Sequence, residues 1–214
     1  MIALNFAGGE GPLEILCLGA HSDDIEIGTG ATLLTLSDRY DSVSIHWVVL
    51  SAPEVRQAEA RRGAELFAPD ADIRLHDFPD SRFPMHLDPL KDAFVELAGD
   101  IDPDVIFTHG AHDRHQDHEV VNRLTWQTFR DHLILEYEIP KFDGDLQTPN
   151  LYVEIEPEIA NAKTRHLATA FRSQTSKPWF EDETFLGLMR IRGIECRARS
   201  GYAEGFHMRK ATIS

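Results

Sequence analysis

Along the first 131 residues, apolar runs of strand length alternate with segments of helix length. The first run, "LEILCLGA" (13–20), is almost unbroken, as expected of a strand buried on both faces. "GATLLTLSDRY" (30–40) follows as a helix. "SVSIHWVVLS" (42–51) is β-branched and predicts a second strand, and "APEVRQAEARRGAELFA" (52–68) predicts a helix with Pro53 near its start. "ADIRLHDFPD" (71–80) is a third, shorter strand, and "LDPLKDAFVELAGDIDP" (87–103) a helix closed by Pro103. "DVIFTHG" (104–110) is a fourth strand, and "HEVVNRLTWQTFR" (118–130) the helix after it. The pattern then changes. Residues 133–155 hold two strand-like runs around a loop rich in Pro, Gly and Asp; 157–173 and 184–200 read as helices, the latter the last element. Repeated β-α alternation predicts an α/β fold: a mostly parallel sheet with helices on both faces and right-handed crossovers. No repeat, low-complexity tract or linker interrupts the 214 residues, so a single domain over 1–214 is expected.

Composition narrows the function. A 42% hydrophobic content supplies a substantial core, and 36 acidic against 21 basic residues leave a formal charge of −15. That balance argues against nucleic acid or an anionic membrane as partner, because phosphate contacts need clustered Lys and Arg. The N-terminal stretch has no basic region followed by an apolar one, and no run approaches the length of a membrane span, so a cytoplasmic protein is expected. Two cysteines, Cys17 and Cys196, make no disulfide framework and fit a reducing compartment. Oligomeric state stays open, a homo-oligomer included.

Two polar clusters fall at the carboxyl ends of predicted strands 1 and 4, where open α/β sheets place their sites. The first is His21-Ser22-Asp23-Asp24. The second is "HGAHDRHQDH" (109–118), with His109, His112, His115 and His118 interleaved with Asp113 and Asp117. Eleven histidines in 214 residues put about half of one in a ten-residue window of average composition, so four are an excess. Taken singly, each cluster has a bland reading: a capped loop for the first, and a solvated loop with Asp117 as helix cap for the second. Together on one sheet edge they suit a metal site. Catalytic zinc takes three ligands from His and carboxylate and keeps an open position for water. A carboxylate that does not bind the metal can then act as general base, and a further imidazole can stabilise charge on the substrate oxygen. The cation also relieves the repulsion between adjacent Asp23 and Asp24. Gly28 and Gly30 read as tight strand-to-helix packing rather than a dinucleotide loop, which would need a third glycine at the right spacing.

His21-Ser22-Asp23-Asp24 with Gly28-x-Gly30-Ala31-Thr32, and His115-Gln116-Asp117-His118, resemble the two signatures of the PIG-L (LmbE-like) family of metal-dependent de-N-acetylases. Weaker likenesses lie in "VRQAEARRGAELF", "FPDSRF", "AKTRHLATAFRSQ" and "YAEGF". The resemblance implies a Rossmann-like sandwich with the site at the carboxyl ends of strands 1 and 4. It implies zinc held by His21, Asp24 and His118, a donor set that Fe2+, Co2+ or Mn2+ also accept. It makes Asp23 the general base, His115 the oxyanion stabiliser or proton donor, and Asp117 the group that holds the His115 imidazole. Arg56, Asp80 and Asp113 are candidate substrate contacts. His109 and His112 take no firm role, as supporting or surface residues. Ser22 replaces the family's Pro, and Ala31 replaces a Gly.

The activity implied is removal of acetyl from an N-acetylated sugar, with loops 140–150 and 173–184 setting specificity. The alternatives are a zinc amidase acting on a natural-product or thiol-precursor glycoside or on a non-sugar amide, and a non-catalytic nucleotide-binding protein.

Overall fold

The computed structural model describes residues 4–6 and 11–212; part of the N-terminal stretch scanned for a leader lies outside these. The elements run β1 (Leu13–His21), α1 (Asp24–Arg39), β2 (Val43–Ser51), α2 (Glu54–Phe67), β3 (Asp72–Leu75), a 3-10 turn (Phe83–Met85), α3 (Leu87–Asp100), β4 (Val105–His109), α4 (Gln116–Thr128), β5 (Leu133–Tyr137), β6 (Leu151–Ile155), α5 (Pro157–Ala170), α6 (Asp182–Cys196) and β7 (Tyr202–Met208). Seven strands form one sheet in the order β3-β2-β1-β4-β5-β7-β6. The first five are mutually parallel, whereas β7 pairs antiparallel with both β5 and β6. The expected α/β architecture, mostly parallel and covered on both faces, is therefore the observed one.

The unbroken apolar run of β1 follows from its central place. Successive side chains of a strand point to opposite faces. Ile15 and Cys17 enter the core shared with α1, α2, α5 and α6, while Leu16 and Leu18 enter the core shared with α3 and α4. Each such side chain, fully buried, stabilises the fold by about 1.5–3 kcal/mol. After β3 the chain crosses back past β1 to β4, so β1 and β4 are neighbours at the point where the strand order reverses. Their carboxyl ends open a crevice there, which is where doubly wound sheets bind ligands.

Three differences from the sequence pattern matter. The helix α1 begins at Asp24, six residues before the predicted start, and so contains Gly28 and Gly30. Glycine weakens a helix interior by about 1 kcal/mol relative to Ala. Close packing requires it here: a Cβ on Gly28 would lie 2.3 Å from the Tyr137 ring, and one on Gly30 would lie 2.6 Å from that of Phe67. Helix α4 begins at Gln116, two residues early, which puts Asp117 and His118 in its first turn. Strand β7 was not predicted. Its buried stretch reads Ala203-Glu204-Gly205-Phe206, and a charge and a glycine hide the strand pattern.

Candidate active site

Four segments meet at the carboxyl edge of the sheet. His21 ends β1, Asp23 caps α1, and Asp24 is the first residue of that helix. The chain after β4 leads to His115, the cap of α4, with Asp117 and His118 just inside it. The loop 79–83 lies across the start of α4, because the N–H groups of Ser81 (2.6 Å) and Phe83 (3.1 Å) both donate to the Asp117 carboxylate. Ser81 takes a left-handed φ of 59° in that loop.

His21, Asp24 and His118, separated by up to 97 positions, converge. Nδ1 of His21 lies 3.2 Å from Nε2 of His118 and 3.3 Å from Oδ2 of Asp24, and that oxygen lies 3.5 Å from Nε2 of His118. The opposite nitrogens are both engaged by carboxylates: His118 Nδ1 with Asp113 at 2.8 Å, and His21 Nε2 with Asp117 and Asp80 at 3.2 Å each. With the protons there, the two facing nitrogens present lone pairs to each other and to a carboxylate oxygen. Three acceptors cannot satisfy one another; a cation between them can. Donors about 2.0–2.1 Å from a tetrahedral zinc stand about 3.3–3.4 Å apart, close to the spacing found here. His109 is near enough to join Asp24 and His118 in a second grouping, and His21, Asp80 and Asp117 form a third.

Without a cation, protonation has to manage the same charges. Burial opposes charge on His21, but hydrogen bonds to Asp117, Asp24 and Asp80 outweigh it and lift its pKa well above the ordinary imidazole value. Burial works against the Asp24 carboxylate too, yet His118 and His109 hold its pKa well below the usual range. Burial, with neighbouring His109, lowers that of His118.

The supporting carboxylates divide differently from the sequence expectation. Asp113, expected beside substrate, instead stands behind His118; its other partners are Lys141 at 3.0 Å and the His115 N–H at 2.8 Å. Asp117, expected to hold His115, directs its carboxylate to His21 and to loop 79–83. Only its backbone N–H reaches His115, at Nδ1 (3.3 Å). Since that nitrogen accepts, the proton of neutral His115 sits on Nε2. Burial, and the nearby His118 and His21, lower the pKa of His115, favouring this neutral donor form. Asp80 is the exposed partner of His21.

Asp23 is buried beside this cluster and its carboxylate makes no hydrogen bond among the described residues; the nearest cation is Arg56, at 3.6 Å. Burial, then the Asp24 charge, raise its pKa against the pull of Arg56, His21 and Lys177. Arg56 is itself held by Glu59 at 2.8 Å, and Glu59 accepts from both N–H and hydroxyl of Ser173. His109 is fully buried, with its ring stacked on His118 (centroids 3.8 Å apart) and its Nε2 2.9 Å from the N–H of Ala20. His112 is exposed. Sequence reasoning missed Lys141, Glu59 and Ser173; only the "FRSQ" likeness touched one of them.

Comparison with known proteins follows this geometry. A family model described as GlcNAc-PI de-N-acetylase (PIG-L) matches residues 16–129, the span carrying both His/Asp clusters. A curated relative, the uncharacterized deacetylase YaiS of Escherichia coli K12, is 27% identical over 68% of this chain and 79% of its own. The N,N'-diacetylchitobiose deacetylase of Pyrococcus horikoshii superposes with a TM-score of 0.70 at 20% identity, over 92% of this chain and 83% of its own. GalB, the 4-carboxy-2-hydroxymuconate hydratase of Pseudomonas putida KT2440, gives 0.71 at 17% identity, over 94% and 98%. At such identities the structural likeness establishes the fold, and that fold serves more than one chemistry.

Proposed function

The chain belongs to the GlcNAc-PI de-N-acetylase (PIG-L) family, and on that premise we propose that it is a zinc-dependent hydrolase removing acetyl from an N-acetylated sugar. The observation that carries the reading is the convergence of two imidazole lone pairs and one carboxylate oxygen, His21 Nδ1, His118 Nε2 and Asp24 Oδ2, at tetrahedral spacing. Zinc held there supplies an acidified water and polarises the amide carbonyl. Asp23, buried and unbonded, takes the proton of the attacking water. Its raised pKa suits a group that must hold that proton and return it to the leaving nitrogen. The Nε2–H of His115 donates to the oxygen of the tetrahedral intermediate. Cleavage of the C–N bond yields acetate and a free amine. Arg56, fixed by Glu59, borders Asp23 and is placed to meet a substrate hydroxyl or carbonyl. Asp113 and Asp117 hold the two imidazoles.

The sugar half of this reading rests on the family description and on the chitobiose deacetylase relative. A natural-product glycoside or a non-sugar amide would use the same groups. Among the described residues no helix is long and apolar enough to cross a membrane, and both cysteines are free and buried. We accordingly read residues 1–214 as one cytoplasmic domain acting on a small molecule.

The test is acetate release from a panel of N-acetylated sugars, including N-acetylglucosamine and diacetylchitobiose, and of non-sugar acetamides. The zinc-loaded protein should release acetate from a sugar, and Asp23→Ala should lose about 10²–10⁴-fold in turnover while keeping its metal. Release confined to non-sugar amides would move the substrate class. Full activity in Asp23→Ala would overturn the base assignment.

A further inference from the structure

A buried ion pair far from the crevice is built into the backbone of α1. Lys163, on α5, and Glu204, on β7, are 3% and 4% exposed and meet at 2.5 Å. In a regular helix the carbonyl of Ile27 accepts from the N–H of Ala31. Here both ends of that rung have side-chain partners: Lys163 Nζ donates to the Ile27 carbonyl, and the Ala31 N–H donates to Glu204 Oε1. The next N–H, of Thr32, donates to Glu204 Oε2 at 2.7 Å. The side chains come this close where α1 carries Gly28, Gly30 and Ala31, residues of minimal bulk. A salt bridge is thus inserted across the ladder, two turns below the end that carries Asp23 and Asp24.

Stability alone is a poor account of such a pair. Desolvating two charges costs much of what their attraction returns, and neutral groups of similar volume are often as stable or more so. What the pair adds is a fixed address: it ties α1 to α5 and to β7 at one point along the α1 axis. Asp23 and Asp24 are the first residues of that same rod, seven to nine positions away, about 10–14 Å at 1.5 Å per residue. We propose that Lys163 and Glu204 are positioning residues, setting the axial placement of α1 so that Asp24 Oδ2 meets His21 and His118 and Asp23 faces the attacking water. This rests on the metal-site reading above but concerns residues that touch neither metal nor substrate.

The experiment separates placement from stability. In Lys163→Met/Glu204→Gln both charges are gone but the volumes stay close, so the variant should fold. Zinc affinity, read on the metal-depleted protein by competition with a chromophoric chelator, should weaken by about tenfold, the low end for residues that support metal ligands. Turnover should fall with KM within twofold. Leu97→Ala, in the core on the opposite face of the sheet, serves as a control brought to the same thermal midpoint, and should keep wild-type zinc affinity. Wild-type zinc affinity in the double variant, or an equal loss in the control, would overturn the proposal. Should the double variant not fold, hydrogen exchange on the wild type decides. Zinc should protect amides in 157–170 and 202–208 as well as in 21–33; protection confined to 21–24 and 113–118 would refute it. Tight zinc binding without acetate release would sink the deacetylase reading and leave this one intact.

Discussion

Asp113 is where the residue pattern and the coordinates give opposite answers, so its substitution is the sharpest probe of the site. Asp113→Ala removes the acceptor that holds the His118 Nδ1 proton at 2.8 Å. It also takes away one of two carboxylates around Lys141, leaving Asp145 at 2.6 Å. A hydrogen bond to a charged group contributes about 1.5–3 kcal/mol, and Lys141 keeps a partner, so the protein should fold with a loss in that range. With the acceptor gone, the imidazole is free to turn and to move its proton to Nε2, the nitrogen facing Asp24. Removing such a supporting group lowers metal affinity by about 10–100-fold, or about 1.4–2.7 kcal/mol. The assay is competition for zinc between the depleted variant and a chelating dye, alongside initial rates over a range of substrate concentration. A group that met substrate would do the reverse, raising KM and leaving zinc affinity alone. Zinc affinity within twofold of wild type, with a raised KM, would refute the assignment.

Other outcomes follow from the same geometry. Gly28→Ala should gain about 1 kcal/mol of helix propensity but force a Cβ to within 2.3 Å of the Tyr137 ring. Overpacking of that kind costs about 1–3 kcal/mol or more, so the net is destabilising; for a chain of this size the thermal midpoint should fall by about 2–4 °C per kcal/mol, and an unchanged or higher midpoint would contradict the packing. Zinc uptake should release protons near pH 7. The raised His21 pKa keeps that imidazole charged in the metal-free protein at pH values where a free imidazole, of pKa about 6.5, is neutral, so zinc must displace the proton. Titration calorimetry in buffers of different ionisation enthalpy measures this, and the absence of release would show His21 already neutral. By the same sign, the contribution of His21 to metal-free stability is complete below about pH 6.5 and is lost as pH rises through the folded-state value.

The strands that form the scaffold were legible because β1 and β4 are buried on both faces and must be apolar throughout. The clusters around His21 and His118 were legible because strand ends in this architecture open on one edge. The division of labour among the carboxylates was not. Whether Asp113 or Asp117 serves a given imidazole depends on where α4 starts, and a two-residue shift turns a helical side chain by about 200°. With the start at Gln116, the Asp117 carboxylate faces the N–H groups of Ser81 and Phe83 and then His21, away from His115. Strand β7 was hidden for a related reason. A buried Glu204 makes sense only with Lys163, 41 positions earlier on another element, and no local pattern announces that partner. The unusual helix of Gly28 and Gly30 likewise answers to rings of Tyr137 and Phe67 far along the chain.

The most direct test of the metal-site assignment is an anomalous difference map at the zinc edge from crystals of the zinc-loaded protein. One peak about 2.0–2.1 Å from His21 Nδ1, Asp24 Oδ2 and His118 Nε2, with a fourth position open to the crevice, is the predicted result. A peak held instead by His21, Asp80 and Asp117, or by Asp24, His109 and His118 without His21, would contradict it.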